Sequence, residues 1–284
     1  MKFARVMLMV ALAATSGYAA DRQQTSFFSQ DWLDTVISVE VATPNEAPRA
    51  IGTGFLIRTP SNHMVLVTAK HLIFENTTLT SNLAYRLNNR VGDSTLVTDE
   101  QAADATQSSW FSSPDADVAC RFVTTLSCGE TSVVRTLPLS RFLEAEHVQA
   151  AAPILVVGFP TENLRSTQHA TPIVRNGIVA RNDHADILVD AKAWPGDSGG
   201  PVVYAPSFPV DQQTLKSPVL QGQWIVGLVS SPVSVSDVAV SAKTKKPRFS
   251  IEENSGLVSI VSADKILELL NRQDVLATDA KLDR

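Results

Sequence analysis

A serine in a glycine-bounded turn is the residue of this chain best suited to covalent chemistry. Ser198 lies within the hexapeptide GDSGGP, residues 196–201. In such a turn the hydroxyl can project outward, and neighbouring backbone N–H groups can converge on one point. A nucleophilic serine requires an exposed oxygen beside a preformed site for negative charge. The turn therefore predicts nucleophilic catalysis, provided that the chain also supplies a base.

The base is expected to be a histidine, because the unperturbed pKa of imidazole lies near neutrality. His71 follows the apolar run Met64–Val67 almost directly, so we expect it at the end of a buried strand, facing a cleft. The other four histidines occupy polar or isolated positions, and we interpret them as surface or core residues without a catalytic role: His63, His147, His169 and His184.

The order of the histidines along the chain separates two fold families. Residues 196–200 also satisfy the G-x-S-x-G pattern of α/β-hydrolases, whose histidine follows the serine. All five histidines here precede Ser198, and the chain shows no alternation of strands and helices. An esterase of the α/β-hydrolase fold is therefore disfavoured.

A carboxylate must hold the imidazole in the correct tautomer and stabilise its charged form. Asp117 is the preferred candidate, because Val118 and Ala119 follow it directly, as expected for a carboxylate at the start of a buried strand. Asp115 competes, since it lies two residues earlier on the same strand face. We interpret Asp115 as a solvated loop residue.

Short strands predominate among the elements that must position these residues. Apolar runs recur along the chain, separated by Gly, Pro, Asn and Asp, which favours a sandwich or barrels. The runs are Val36–Val41, Gly54–Ile57, Met64–Val67, Ile154–Val157, Ile173–Ala180, Ile187–Val189, Pro201–Tyr204, Trp224–Val229 and Leu257–Val261.

Helices are expected at two places only. The apolar stripe of Ile266, Leu267, Leu269 and Leu270 predicts a helix that Ser262 could cap and that ends near residues 271–274. A shorter helix is predicted over residues 140–148. The polar segments 78–113 and 234–255 are interpreted as mixtures of edge strand and loop.

The N-terminus has the pattern of a secretory signal peptide. Lys2 and Arg5 precede the apolar run from Val6 to Ala14, and the small residue Ala19 marks the expected cleavage site. We therefore expect an exported protein, periplasmic or secreted, with no membrane association after removal of the signal. The apolar run is too short to span a bilayer as a mature helix.

Composition narrows the classes of partner. The net charge is −5, so no basic footprint indicates nucleic acid. The basic cluster at residues 243–248 is interpreted as a solvated loop. Cys120 and Cys128 could form a disulfide in an oxidising compartment, or remain two free thiols. Neither has the spacing of a zinc site, so no metal is expected.

Together, His71 in TAKH, Asp117 in DVA and Ser198 in GDSGGP resemble the trypsin/chymotrypsin-like serine proteases. Residues 52–57 and 157–160 are similar to flanking strands of the bacterial members, and Asp190-Ala191 is similar to the HtrA-type branch. The resemblance extends from about Val36 to the C-terminal helix. It implies an all-β fold of two six-stranded antiparallel β-barrels, with the site between them and a C-terminal helix packed on the second.

The resemblance also implies a division of the chain. Residues 1–19 would be the signal peptide, and 20–145 an N-terminal barrel lobe carrying His71 and Asp117. Residues 146–274 would form a C-terminal barrel lobe carrying Ser198 and the helix. A charged tail, 275–284, would follow. HtrA enzymes carry a PDZ domain as well, and none is expected here.

In this resemblance Ser198 is the nucleophile, His71 the base and Asp117 the residue that orients the base. The backbone N–H groups of Gly196 and Ser198 would form the oxyanion hole. Substrate-binding residues are also implied, at Ser230, Ser231 and Pro232 along the substrate backbone and at Gly256 beside the specificity pocket. No cofactor is expected, and the substrates would be proteins or peptides.

Two departures from trypsin itself change the expectations. No Ile-Val-Gly-Gly segment stands upstream of Val36. We therefore predict no activation by a freed N-terminus, and Asp197 must find another partner or lie near solvent. The segment Lys192–Pro195 lacks the aspartate that gives trypsin its preference for basic residues, so small or apolar residues are expected at the cleaved position.

The resulting prediction is an exported serine endopeptidase that works through an acyl-enzyme. The alternative is an inactive protein of the same fold that acts as a binding or regulatory module. The intact set of His71, Asp117, Ser198 and Gly196 favours the enzyme, because inactive relatives usually lose one member of the triad.

Overall fold

The computed structural model describes residues 30–88, 93–103, 109–123, 134–160, 170–184, 186–204 and 223–282. Strands dominate this part of the chain, and they form two sheet systems, which we call the first and the second lobe. The proposed signal peptide, His169 and Cys128 lie outside the described residues.

The first lobe is an eight-stranded sheet rather than the six strands that the resemblance implied. Its strand order is β7-β6-β1-β2-β3-β9-β8, and β10 pairs in parallel with β2. The strands are β1 Val36–Val41, β2 Arg49–Arg58, β3 Met64–Thr68, β6 Leu83–Asn88, β7 Ser94–Thr98, β8 Phe111–Ser112, β9 Ala119–Phe122 and β10 Leu137–Pro138, and a separate pair is β4 Phe74–Glu75 with β5 Thr78–Leu79.

The second lobe is a closed six-stranded barrel, as predicted. Its order is β11-β12-β13-β16-β15-β14, and every neighbouring pair is antiparallel. The strands are β11 Pro153–Gly158, β12 Ile173–Asn182, β13 Ile187–Asp190, β14 Pro201–Tyr204, β15 Trp224–Val240 and β16 Pro247–Ser262. Segment 234–255, expected to be edge strand and loop, is instead the outer part of one long β15–β16 hairpin.

Helices in the described residues are short, except at the C-terminal end. They are α1 Gln30–Leu33, α2 Lys70–Ile73, α3 Asp99–Ala102, α4 Ala263–Leu270 and α5 Gln273–Leu282. The predicted helix over 140–148 is two 3-10 turns, Leu139–Arg141 and Ala145–His147. None of the helices in the described part of the chain has the length and apolar character needed to cross a bilayer.

The C-terminal end differs from the prediction in two respects. Helix α4 buries Ile266, Leu269 and Leu270 as the apolar stripe predicts, but the Ser262 side chain makes no capping hydrogen bond. Residues 275–282, expected as a charged tail, belong to α5, which buries Val275 and Asp279. The buried Asp279 accepts hydrogen bonds from His63 and Thr59, so the end of the chain is fastened to the first lobe.

One hydrophobic cluster joins the two lobes. It contains Phe55 and Val67 from the first sheet, Val203 and Leu228 from the barrel, and Ile266 from α4. Burial of apolar surface is the main favourable term in folding, and residues from both lobes contribute to the same cluster. The lobes are thus packed as one unit, and the end of β3, the start of β9 and an inner part of β15 lie where they join.

Candidate active site

The predicted base lies at the first turn after β3. β3 ends at Thr68, and His71 is the second residue of α2. Its neighbours Leu72 and Ile73 are buried and anchor this turn in the core, while the His71 side chain remains 48% exposed. The exposed ring is therefore presented to the cleft by a buried support.

Asp117 holds His71 through two hydrogen bonds. The His71 backbone N–H donates to Asp117 Oδ1 at 2.9 Å, and His71 Nδ1 lies 2.8 Å from Asp117 Oδ2. With Nδ1 donating to the carboxylate, Nε2 is left as the basic nitrogen. Burial raises the pKa of Asp117, but the hydrogen bonds from His71 and Ser230 outweigh burial and lower it from its ordinary value of 3.8.

The competing carboxylate takes no part in this contact. Asp115 is exposed, and its backbone N–H bonds to the Ser113 hydroxyl at 3.3 Å. Lys70, next to the base, donates to the Ser113 carbonyl at 2.8 Å, which ties its charge to the loop. The geometry thus brings Asp117, and not Asp115, against the imidazole.

Ser198 and His71 are linked by a short series of hydrogen bonds rather than by a direct one. Ser198 Oγ donates to the Ser230 carbonyl at 3.2 Å, and Ser230 Oγ donates to Asp117 Oδ2 at 2.7 Å. Asp117 in turn bonds His71. Within the described part of the chain, Ser198 and His71 share no hydrogen bond with each other. Catalytic hydrogen bonds are often incomplete before substrate binds, and a rotation of the Ser198 side chain would redirect its hydroxyl.

The serine turn is held in place from the other lobe by Thr53. Its hydroxyl donates to the Gly196 carbonyl at 2.7 Å and accepts from Phe159 N–H at 2.9 Å. The Thr53 backbone N–H donates to the Ser198 carbonyl at 2.8 Å. Thr53 is fully buried, so these three bonds fix the turn without competition from water.

The proposed oxyanion donors are free to receive a ligand. Among the described residues, neither the Gly196 nor the Ser198 N–H donates to another protein group. Gly196 has φ = 102° and Gly199 has φ = 81°, conformations that residues with a Cβ rarely adopt. At Gly199 a Cβ would also lie 2.1 Å from the Thr53 carbonyl oxygen. Glycine is therefore required for both the backbone conformation and the contact between lobes.

Asp197 is buried, and its partner, which the sequence analysis did not identify, is Arg175. Arg175 of β12 forms an ion pair with it, and Trp194 N–H donates to the same carboxylate at 2.7 Å. Arg175 also donates to the Lys192 carbonyl at 2.8 Å. Burial raises the pKa of Asp197, against the opposing effects of Trp194 N–H and Arg175. An internal arginine thus holds the residue preceding Ser198 and the segment 192–195 together.

The remaining predicted site residues fall into two groups. Ser230, Ser231 and Pro232 lie on β15 beside the serine turn, with Ser231 and Pro232 exposed, and Gly256 (φ = 83°) marks a bend in β16. Cys120 is buried on β9, and among the described residues it forms no disulfide. Burial raises its pKa to about 12. Because Cys128 lies outside the described residues, the disulfide remains a prediction.

A groove of about 780 Å³ adjoins the base. Lys70, His71, Ser113, Asp117 and Arg272 are among the residues that line it. It lies on the first-lobe side of the site. Away from the cleft, Glu144, Glu146 and His147 form an exposed group with the donor atoms of a metal site. Exposed acidic groups are common without a metal, and this one touches neither Ser198 nor His71.

Sequence reasoning missed three contributions. The roles of Thr53 and Arg175 depend on contacts across 143 and 22 residues, which no local pattern reveals. The hydroxyl of Ser230 bonds Asp117, a role additional to the predicted contact with substrate. An apolar strand interrupted by a buried threonine, as in Gly52-Thr53-Gly54, is the signal that could have drawn attention to Thr53.

The family model of the trypsin-like peptidase domain matches residues 52–206. This range contains His71, Asp117 and Ser198. Among solved structures, the chain is similar to an HtrA-type protease, an AlgW variant with a decapeptide, at 15% identity and a TM-score of 0.46. The match covers 86% of this chain and 64% of that one. Among curated proteins, no sequence matches the chain.

Proposed function

Because the chain belongs to the family of trypsin-like peptidase domains, we propose that it is a serine endopeptidase with Ser198 as nucleophile, His71 as base and Asp117 as the residue that orients the base. The single observation that carries the proposal is the series of hydrogen bonds from Ser198 through Ser230 to Asp117 and His71. The series links a hydroxyl, a carboxylate and an imidazole across the junction of the two lobes.

The reaction begins when Ser198 Oγ attacks the carbonyl carbon of a peptide bond. His71 Nε2 takes the hydroxyl proton, while Asp117 stabilises the imidazolium that forms. The oxygen of the tetrahedral intermediate becomes negative and is bound by the N–H groups of Gly196 and Ser198. One such donor is typically worth about 2.7–4 kcal/mol of transition-state stabilisation.

His71 next gives its proton to the nitrogen of the leaving amine as the C–N bond breaks. An acyl ester on Ser198 remains. A water molecule then loses a proton to His71 and attacks the ester, and the proton passes to Ser198 Oγ as the second product leaves. The cycle needs only side chains and oriented backbone N–H groups.

The buried supports explain why the site needs no freed N-terminus in this proposal. Thr53 fixes the Gly196 carbonyl, and Arg175 neutralises Asp197, so the N–H groups of the turn are oriented before substrate arrives. Donors that are oriented in advance require no reorganisation during the reaction. We also propose export, from the leader-like residues 1–19.

The test is hydrolysis of unfolded polypeptides by the purified protein, with products identified by mass spectrometry. Wild type is expected to cleave, and Ser198→Ala and His71→Ala are each expected to reduce the rate by several orders of magnitude. Cleavage that persists in Ser198→Ala would contradict the assignment. A folded wild-type protein that binds peptides but cleaves none would favour the inactive binding module.

A further inference from the structure

The strand that bonds Ser198 continues far beyond the barrel. β14 pairs with one edge of β15 from Trp224 to Leu228. At the next residue, Val229, the same edge forms backbone hydrogen bonds with Gly199 and Gly200 of the serine turn. From Ser230 to Val240, in the part of the chain that the structure describes, this edge makes no backbone hydrogen bond. β16 pairs only with the opposite edge.

Almost every residue of the outer hairpin is exposed to solvent. We call residues 234–240 and 247–254 the arm. Its base is a bend, where the pairing passes from Pro232↔Val258 to Ser234↔Asn254 and where Gly256 has φ = 83°. The Asn254 side chain donates to the Ala193 carbonyl at 3.0 Å, which holds the base of the arm against the segment preceding Ser198.

Exposed apolar side chains lie on both faces of the arm, although no core covers them. Residues paired across antiparallel strands share a face, so one face of the arm carries apolar side chains together with two carboxylates: Val235, Asp237, Ala239, Phe249, Ile251 and Glu253. Val235 is 55% exposed, Phe249 59% and Ile251 48%. The opposite face carries the exposed Val238 and Val240 beside Ser236, Ser250 and Glu252. Long, exposed strand edges beside apolar side chains are normally protected, because they pair readily with other chains.

The position of the free edge restricts what can pair with it. A peptide whose carbonyl reaches Ser198 can extend along β15 only from Ser230 toward Val240, because β14 and the serine turn occupy the edge on the other side. Antiparallel pairing, which every pair in this barrel uses, would place the residues N-terminal to the reacting bond along the arm. Residues 231–240 provide roughly 30 Å of edge at about 3.3 Å per residue.

We propose that the arm is an extended substrate-binding edge, which adds a strand of unfolded polypeptide reaching about eight to ten residues N-terminal to the cleaved bond. This inference rests on the proposed peptidase function. Backbone hydrogen bonds along the arm would provide affinity, and the exposed apolar side chains on its two faces would contact apolar side chains of the bound strand. Pro232 supplies no N–H, so most pairing lies beyond it, on the arm itself. The substrate class is therefore extended polypeptide segments rather than short peptides or folded loops.

The test is a series of uncharged peptides, with alternating valine and serine, that carry four, six, eight or ten residues before the cleaved bond. We expect kcat/KM to rise at least about tenfold from four to ten residues, since each net hydrogen bond contributes modestly and several add up. N-methylation of backbone amides at the fifth to tenth positions is expected to abolish the gain without altering the side chains.

A variant provides the second readout. Residues 236–252 are replaced by Asn-Gly, which joins the paired residues Val235 and Glu253 through a tight turn and retains the Asn254 contact. The ratio of kcat/KM for long and short peptides is expected to fall close to one. The matched control replaces Lys243, Lys245 and Lys246 by glutamine, which alters the turn but not the strands, and is expected to keep the gain.

The outcomes separate the two proposals. If wild type cleaves neither short nor long peptides and Ser198 does not react with a fluorophosphonate, the proposed function is wrong. If short peptides are cleaved but length brings no gain, or the gain survives N-methylation, the arm proposal is overturned. A dimer that disappears on arm deletion, without any length effect, would assign the edge to a second copy of the chain and equally overturn it.

Discussion

The two sides of the candidate site differ in how firmly they are held. The serine turn is fixed by buried groups, because Thr53 is fully buried and the Asp197 side chain is 1% exposed. The pair of His71 and Asp117 lies nearer to solvent, with side chains 48% and 27% exposed. This contrast suits the chemistry, since an oxyanion site must be rigid whereas a base must move a proton between two partners.

The same contrast explains why Ser198 and His71 share no direct hydrogen bond in this structure. The turn orients its N–H groups permanently, while the Ser198 hydroxyl rests on the Ser230 carbonyl. Substrate would complete the alignment of Ser198 with His71. Changes at the serine turn, the rigid side, should therefore affect both the stability of the fold and the catalytic rate. Changes at His71 and Asp117, the exposed side, should affect mainly the catalytic rate and its dependence on pH.

The largest effect is expected on the exposed side. Asp117→Asn should lower kcat by about four orders of magnitude, because the amide favours the wrong imidazole tautomer. Asp115→Asn is the matched control, as Asp115 makes no contact with His71, and its kcat should stay within about threefold of wild type. Steady-state kinetics with one peptide substrate compares the two. Equal losses in both variants would show that Asp117 is not the orienting residue.

The next effect concerns the rigid side. Arg175→Met leaves the Asp197 carboxylate buried without its ion-pair partner, and should reduce the free energy of unfolding by about 3–5 kcal/mol. Arg181→Met is the control on the same strand, because its ion pairs are about half exposed and worth at most about 1 kcal/mol. Urea unfolding measures both variants.

The pH dependence of Arg175→Met provides an additional check. Burial already raises the pKa of Asp197, and loss of Arg175 raises it further. A carboxyl group whose pKa is higher in the folded state than in the unfolded state stabilises the fold at low pH. This contribution is lost as the pH increases through the folded-state pKa. The loss of unfolding free energy caused by Arg175→Met should therefore be smaller at acidic pH, where Asp197 is protonated. A deficit that does not vary with pH would show that the charge of Asp197 is not its cause.

A smaller loss is expected at Thr53. Thr53→Val keeps the shape but removes the hydroxyl that bonds Gly196 and Phe159. The partly buried Gly196 carbonyl and the buried Phe159 N–H then lose their partner, at a cost of about 1–3 kcal/mol. Thr53→Ser retains the hydroxyl and should recover most of the stability and rate. If valine and serine behave alike in thermal unfolding and kinetics, the hydroxyl does not hold the turn.

The smallest effect is expected for Ser230→Ala, which removes one hydrogen bond from Asp117. The lowered pKa of Asp117 means that its ionised form stabilises the fold above pH 3.8, and that this contribution is lost as pH falls through the folded-state value. The variant should bring the pKa of Asp117 closer to 3.8, so that the contribution should be smaller and its loss complete at a higher pH. NMR titration of the Asp117 carboxyl measures the change, and an unaltered pKa would refute the contribution of Ser230.

The sequence was sufficient for much of this arrangement, and its failures have physical causes. The fold class was predictable because core strands carry apolar runs, and Asp117 because apolar residues follow it directly. The eight strands of the first lobe were not predicted, because short strands such as β8 and β10 have too few residues to show a pattern. The arm was taken for edge strand and loop because a hairpin without a core lacks the alternation that marks a strand. Thr53 and Arg175 act through contacts that only the packed lobes create.

The central claim is that Ser198 is a nucleophile activated by His71, and its most direct test is the rate of labelling by a fluorophosphonate, mapped by mass spectrometry. Wild type should be modified at Ser198 alone, and His71→Ala should react at least about a hundredfold more slowly while remaining folded. Labelling of wild type at another residue, or equal rates in wild type and His71→Ala, would contradict the account.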